Sequence, residues 1–163
     1  MIRTLVVAAM LAAGSGAVPA EEAPMTVSVK RLSLETALTI ARGAVTACRG
    51  QGIQIGVTVV DRDGRVQVQL RDTIAAPITL RVSRMKAFTA ANFNAATSAL
   101  SDRAGTAIGR VRGLVMAAGG VPVRAGGTLL GAVGVSGAPS GATDEACAQA
   151  GIDQVQDDLE MAL

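Results

Sequence analysis

Residues 113–144 read GLVMAAGGVPVRAGGTLLGAVGVSGAPSGATD, and no other stretch limits the folds open to this chain as much. It predicts a short helix end, two strands at 121–124 and 129–136, and a loop into a last helix. Ala125, Gly126, Gly127 and Thr128 join the strands, where glycine supplies the positive φ that a tight hairpin turn needs. The second strand carries Gly131 and Gly134. Interior glycine weakens a strand, so the pair points either to close approach by another backbone or a ligand, or to relief of crowding under a packed helix.

A second hairpin lies upstream. Ile53, Ile55, Val57 and Val59 alternate with Gln54, Gly56 and Thr58 over 53–61, and Val66, Val68 and Leu70 alternate with Gln67 and Gln69 over 66–70. Arg62, Asp63, Gly64 and Arg65 lie between them, and Asp-Gly suits a type I′ turn. Helices are expected on either side. Ser33 reads as the N-cap of a helix to about Arg49, with Leu34, Leu38, Ala41, Val45 and Cys48 on its apolar face and glycine available to cap its end. Thr79 reads as the cap of a helix to about Asn92, with Leu80, Arg84, Ala87 and Ala91 on one line. A shorter helix is expected over 97–107, then a loop punctuated by Gly105, Gly109 and Gly113. The last helix starts near Thr143 or Asp144, with Asp144 and Glu145 favourable to its dipole and Cys147, Gly151, Val155, Leu159 and Leu163 as a stripe. The order is α-β-β-α-α-β-β-α, an α+β fold with an antiparallel sheet of four to five strands flanked by helices.

At 163 residues the chain suffices for one domain. Half of it is hydrophobic, yet only Phe88 and Phe93 are aromatic, so the core is built from small aliphatic side chains packed closely. A net charge of +2 and the scarcity of aromatic stacking platforms give no support to nucleic-acid binding. Arg3, the apolar run from Leu5 and the small residues ending at Val18, Pro19 and Ala20 have the features of a secretory signal peptide, so residues 1–20 are expected to be cleaved. Residues 21–31 form a loose arm, and 32–163 form the domain. The mature protein is then periplasmic or secreted, with no membrane segment after cleavage. In an oxidising compartment Cys48 and Cys147, each on the buried face of its helix, are either a disulfide or two buried thiols.

The wording GGVPVRAGGTLLGAVGVSGAPSGATDEACAQAG resembles the C-terminal signature of the GlcG/HbpS-like family, also called DUF336 or the haem-degrading domain family. VTVVDRDGRVQVQLRD followed by RMKAFTAANFNAATSAL resembles the same family's N-terminal half, and together the matches span nearly all of 32–159. The resemblance implies a profilin-like sheet, a homo-oligomer, and haem or a similar tetrapyrrole as a small-molecule ligand. Relatives often carry a histidine after the proline of the Ala75-Ala76-Pro77 position, where this chain has Ile78, and the sequence has no His or Tyr at all. Met85 and Met116 remain as haem-iron ligands or as core filler. Arg84 and Lys86 are candidates to pair with propionates, or else form a solvated helix face or an interface ion pair. The expected pocket lies near the 79–92 helix and the 114–120 turn.

No Ser-His or Cys-His pair exists without histidine, and two cysteines cannot complete a zinc site. Asp61 and Asp63 flank a turn and read as turn formers. No catalytic set is visible. An exported ligand-binding domain is the first reading; a small enzyme on an acidic or oxidised metabolite and a ligand-free structural or accessory homo-oligomer are the alternatives.

Overall fold

The computed structural model describes residues 23–163; the segment read as a signal peptide lies outside the described residues. The elements are α1 (Leu34–Arg49), β1 (Gly56–Asp61), β2 (Val66–Arg71), α2 (Ile78–Phe93), two short 3₁₀ helices (Thr97–Arg103 and Ile108–Arg110), β3 (Gly120–Ala125), β4 (Thr128–Ser136), α3 (Gly141–Asp153) and α4 (Gln156–Met161). The expected order holds, with a 3₁₀ helix as its fifth element and the last helix broken in two. Ser33 caps α1 as expected, accepting a hydrogen bond from Thr36 N at 3.1 Å. Gly50 stays right-handed at the end of α1, and the left-handed residue is Gly52 at φ +73°.

One antiparallel sheet carries the strands in the order β2-β1-β4-β3. Gly64 takes positive φ in the first hairpin turn but Asp63 does not, so the turn is not the expected type I′; Gly126 and Gly127 both take positive φ in the second. Val57 pairs with Val135 and Val59 with Val133 across β1 and β4, and these four valines face the main core beneath α1 and α3. The alternate positions face α2 on the other side: Thr58 opposite Gly134, and Val60 opposite Ala132. Every residue of β1 is buried because helices cover both faces, so the polar–apolar alternation read from its sequence does not mark a wet side.

The α2 face of the sheet is made of small residues. A Cβ on Gly134 would collide with Ser83 O and come within 2.5 Å of Ala87 N, and one on Gly120 would stand 2.5 Å from Lys86 O. The glycines of this sheet therefore admit the backbone of α2, which seats a helix with a polar buried side: Thr79, Ser83, Lys86 and Thr89 all point inward. Ser83 Oγ and Thr58 Oγ1 share a buried hydrogen bond at 2.8 Å, which satisfies both hydroxyls away from water. Thr79 is not the cap of α2. Its hydroxyl donates to Ala76 O at 2.7 Å from inside the first turn, and Pro77 precedes the helix with no side-chain cap bond. The line of Leu80, Arg84, Ala87 and Ala91 crosses the helix boundary between core and solvent: Ala87 and Ala91 are buried and Arg84 is exposed.

On the opposite face α1 and α3 pack through Ala37, Ile40, Ala41, Ala44, Cys48, Ala148 and Gly151. Cys48 and Cys147 are bonded across this seam, with Cα atoms 5.6 Å apart and a sequence separation of 99. The apolar stripes need trimming at their ends: Leu34 is exposed, and Leu163 lies outside α4.

Two ion pairs tie loops to this frame. Arg31 Nη1 donates to Asp61 Oδ2 at 2.7 Å, while Asp61 Oδ1 accepts from Asp63 N and Arg65 N at 2.9 Å each, so Asp61 builds the hairpin turn. Arg49 Nε and Nη2 grip Asp72 Oδ2 and Oδ1 at 2.7 and 2.6 Å, joining the end of α1 to the end of β2. That grip holds the Asp72 carboxyl below its ordinary value, with burial opposing and the Thr73 N–H assisting. A group depressed on folding stabilises the protein above its unfolded pKa, about 3.9, and loses that contribution as pH falls through the folded value. Asp72→Asn is thus expected to lower the melting temperature at pH 7. The deficit against wild type should shrink steadily as thermal denaturation is repeated from pH 4 toward pH 2.

Candidate functional site

The outer side of α2 presents Arg81, Arg84, Met85 and Phe88. Positions i, i+3, i+4 and i+7 stack on one helix face, so these four share a surface by helical geometry alone. With Leu80, and with Gln69 of β2, Arg112 and Gly113, they line an open groove of ≈ 650 Å³. This volume lies within the range of small-molecule sites.

Each wall is held in place. Gln69 Nε2 donates to Thr58 Oγ1 at 2.8 Å and to Leu80 O at 2.9 Å, tying β2 to the first turns of α2. Thr89 Oγ1 donates to Met85 O at 2.8 Å and accepts from Val115 N at 3.0 Å, which fixes the segment that follows Arg112 and Gly113. A Cβ on Gly64 would stand 2.7 Å from Phe88 Cδ2, so the β1–β2 turn rests on the Phe88 ring and needs glycine both for that contact and for its φ of +80°.

The charged residues that line the groove are all cationic. Arg31, Arg49, Arg71 and Arg124 each donate to protein acceptors. Among the described residues, Arg81, Arg84 and Arg112 make no side-chain hydrogen bond or ion pair to protein, and no carboxylate lines the groove. Three guanidinium groups are thus free around a floor of Leu80, Met85 and Phe88, an arrangement that can hold an anionic molecule with an apolar face.

The structure brings together only part of the expected set. Arg84 and Met85 line the groove. Lys86 does not: two residues on from Arg84, it points to the far side of α2 and into the protein. Its Nζ donates to Asp144 Oδ2 at 2.7 Å and to Val135 O at 3.0 Å, with side-chain exposures of 6% for Lys86 and 5% for Asp144. Lys86 is therefore neither a propionate partner here nor part of a solvated face. Met116 is buried and lines no part of the groove. The 114–120 segment packs over the Lys86 side of α2, with Gly119 O accepting from Val135 N at 2.8 Å, so the loop wall of the groove is Arg112 and Gly113 instead.

Asp144 is likewise more than a helix-terminal charge. Ser140 caps α3, accepting from Thr143 N at 3.1 Å. Asp144 reaches inward to Lys86, and its other oxygen accepts from Ala138 N at 2.9 Å. Burial pushes its carboxyl above the ordinary value, against the pull of Lys86 and of the Ala138 N–H. Arg112 and Gln69 carry no local signal in the sequence, because only the tertiary fold sets them beside α2. Phe88 and Arg81 could have been found from the spacing of the α2 face.

These features define an α+β domain in which α2 covers one side of the sheet and carries a basic and apolar groove on its outer face. The chain belongs to the family described as haem degrading protein HbpS-like, which it matches over residues 32–153. It is 38% identical to a Streptomyces reticuli HbpS double mutant, with a TM-score of 0.77 over 86% of this chain and 98% of that one. A PduOC–haem complex is 28% identical with a TM-score of 0.70, covering 76% of this chain and 94% of the other. Klebsiella pneumoniae ORFY, 22% identical, shares the fold at a TM-score of 0.76 over 82% and 96% of the two chains. No match was found among curated proteins.

Proposed function

We propose that this protein is an exported haem-binding protein, and that the groove on α2 is where haem or a similar tetrapyrrole sits. The observation that carries the reading is the set of three guanidinium groups around Leu80, Met85 and Phe88, which have no protein partner among the described residues. Propionates would meet Arg81, Arg84 and Arg112, and the ring would lie on the apolar floor. The residues fit the group: the floor is apolar, the rim is cationic, and Met85 offers one thioether to iron. Membership of a haem-degrading family and the PduOC–haem complex among its structural relatives support the choice of ligand. The signal-like residues 1–20 and the Cys48–Cys147 bond support export to an oxidising compartment. A homo-oligomer is part of the same reading, on the family resemblance.

Haem titration of the chain from Glu21 tests the proposal. The expected result is a Soret shift that saturates at one haem per chain, with the ferrous and ferric spectra altered by Met85→Ala and unaltered by Met116→Ala. A titration with no saturable shift would overturn haem binding and favour a ligand-free oligomer, whose size light scattering would give. The family's description also favours a second reading, turnover of the bound haem. A Soret band that decays under air with a reductant, faster than free haem decays, would establish it.

A further inference from the structure

We propose that the groove recognises its ligand as a dicarboxylate with an apolar face, and that the central metal is dispensable for binding. This inference rests on the tetrapyrrole reading and narrows it.

The donors that hold haem iron in proteins are chiefly histidine, cysteine thiolate, tyrosinate and methionine. This sequence contains no His and no Tyr, and its two cysteines are bonded to each other in the core. A second copy of the same chain could not supply a histidine or tyrosine either. Within the groove the remaining donor is the Met85 thioether, which is neutral and in the ordinary case a space filler. Iron therefore finds little in the groove to hold it.

The carboxylates find much more. Arg81 and Arg84 stand one turn apart on α2, and Arg112 comes from a separate segment held to that helix through Thr89. None of the three is committed to a protein acceptor among the described residues, and no acidic side chain lines the groove to compete for them. Guanidinium pairs carboxylate through two parallel N–H donors, so three such groups can serve two carboxylates together. Leu80, Met85 and Phe88 supply contact to a ring whatever sits at its centre. Affinity should accordingly follow the carboxylates and the ring face, and be nearly indifferent to the metal.

The test compares three probes on the chain from Glu21, read by the absorbance and fluorescence of the porphyrin itself, since the protein has no Trp or Tyr. These are haem, metal-free protoporphyrin IX and protoporphyrin IX dimethyl ester. The expected result is a Kd for the metal-free ring within about threefold of that for haem, and at least about thirtyfold weaker binding of the ester. Arg84→Gln and Arg112→Gln should weaken haem and the metal-free ring by the same factor, roughly tenfold each. Met85→Leu should change the affinities for haem and for the metal-free ring by the same factor. Haem binding without metal-free binding would overturn the inference and leave the haem reading intact. Equal binding of the ester, or arginine variants that bind both rings as wild type does, would overturn the dicarboxylate part. Failure of all three probes would bring down the haem reading and this inference with it.

Discussion

Lys86→Met is expected to cost about 3–5 kcal/mol of folding free energy at pH 7, the usual penalty for removing one partner of a buried ion pair. The pair joins the middle of α2 to the first turn of α3 at 2.7 Å, and neither side chain has more than a few per cent of its surface in water. Without the ammonium, Asp144 keeps a single protein hydrogen bond, from Ala138 N, and Val135 O loses a donor. For a domain with ordinary stability of about 5–15 kcal/mol, that is a large share of the total. The pH dependence has a definite sign. The Asp144 carboxyl is already raised by burial, and Lys86 is one of the groups that restrain it. Removing Lys86 lifts it further. A group raised on folding favours the native state at low pH and weakens it as pH climbs through the folded value. Urea denaturation of Lys86→Met should thus show partial recovery of stability as pH is lowered from 7 toward the ordinary carboxylate value of about 3.9. Removing the second charge as well, in Lys86→Met with Asp144→Leu, should restore much of the loss, because an apolar pair needs no compensation. A single variant within about 1 kcal/mol of wild type would show that the site admits water and that the pair is not isolated from it.

How much of this was legible in the sequence differs from one side of the sheet to the other. Both hairpins were legible because strand alternation and turn chemistry are local: Asp63-Gly64 and Gly126-Gly127 lie where the chain reverses. The α1–α3 side was also legible, since Ala41, Val45, Cys48 and Cys147 recur at helical spacing and are buried. The α2 side was not. A helix buried through Thr79, Ser83, Lys86 and Thr89 together with Ala87, Ala90 and Ala91 mixes polar and small apolar residues on its inward face, so no clean apolar stripe marks it. Its partners reveal the reason, because a floor of Thr58, Ala132, Gly120 and Gly134 offers hydroxyl groups and space for backbone in place of aliphatic bulk. Grouping Lys86 with Arg84 as one solvated or ligand-facing pair follows from treating polarity as exposure. Residues two apart on a helix cannot share a face, and that geometric rule separates Arg84 from Lys86 without a structure. Arg112 and Gln69 needed the tertiary fold, because both reach the groove from segments outside α2.

Removing the disulfide, as Cys48→Ala with Cys147→Ala, is expected to lower stability by about 2–5 kcal/mol. The bond closes a loop of 99 positions that contains both hairpins and α2, so its loss frees most of the domain in the unfolded state. In the chain-entropy account a loop of that length corresponds to about 4.7 kcal/mol, and two alanines in place of fully buried sulfur atoms add a small loss of packing. Urea denaturation of the double variant, compared with the oxidised protein, checks the magnitude. The same sulfurs lie in the α1–α3 seam, so reductant should reach them slowly in the native protein and quickly once urea opens it; alkylation followed by mass measurement reads this directly. The seam and the groove are on opposite faces of the sheet. Tetrapyrrole affinity measured on the folded fraction of the double variant should therefore match wild type. If affinity falls in step with stability, the two faces are coupled through β1 and β4, and the sheet transmits strain that its close packing would otherwise confine to one side.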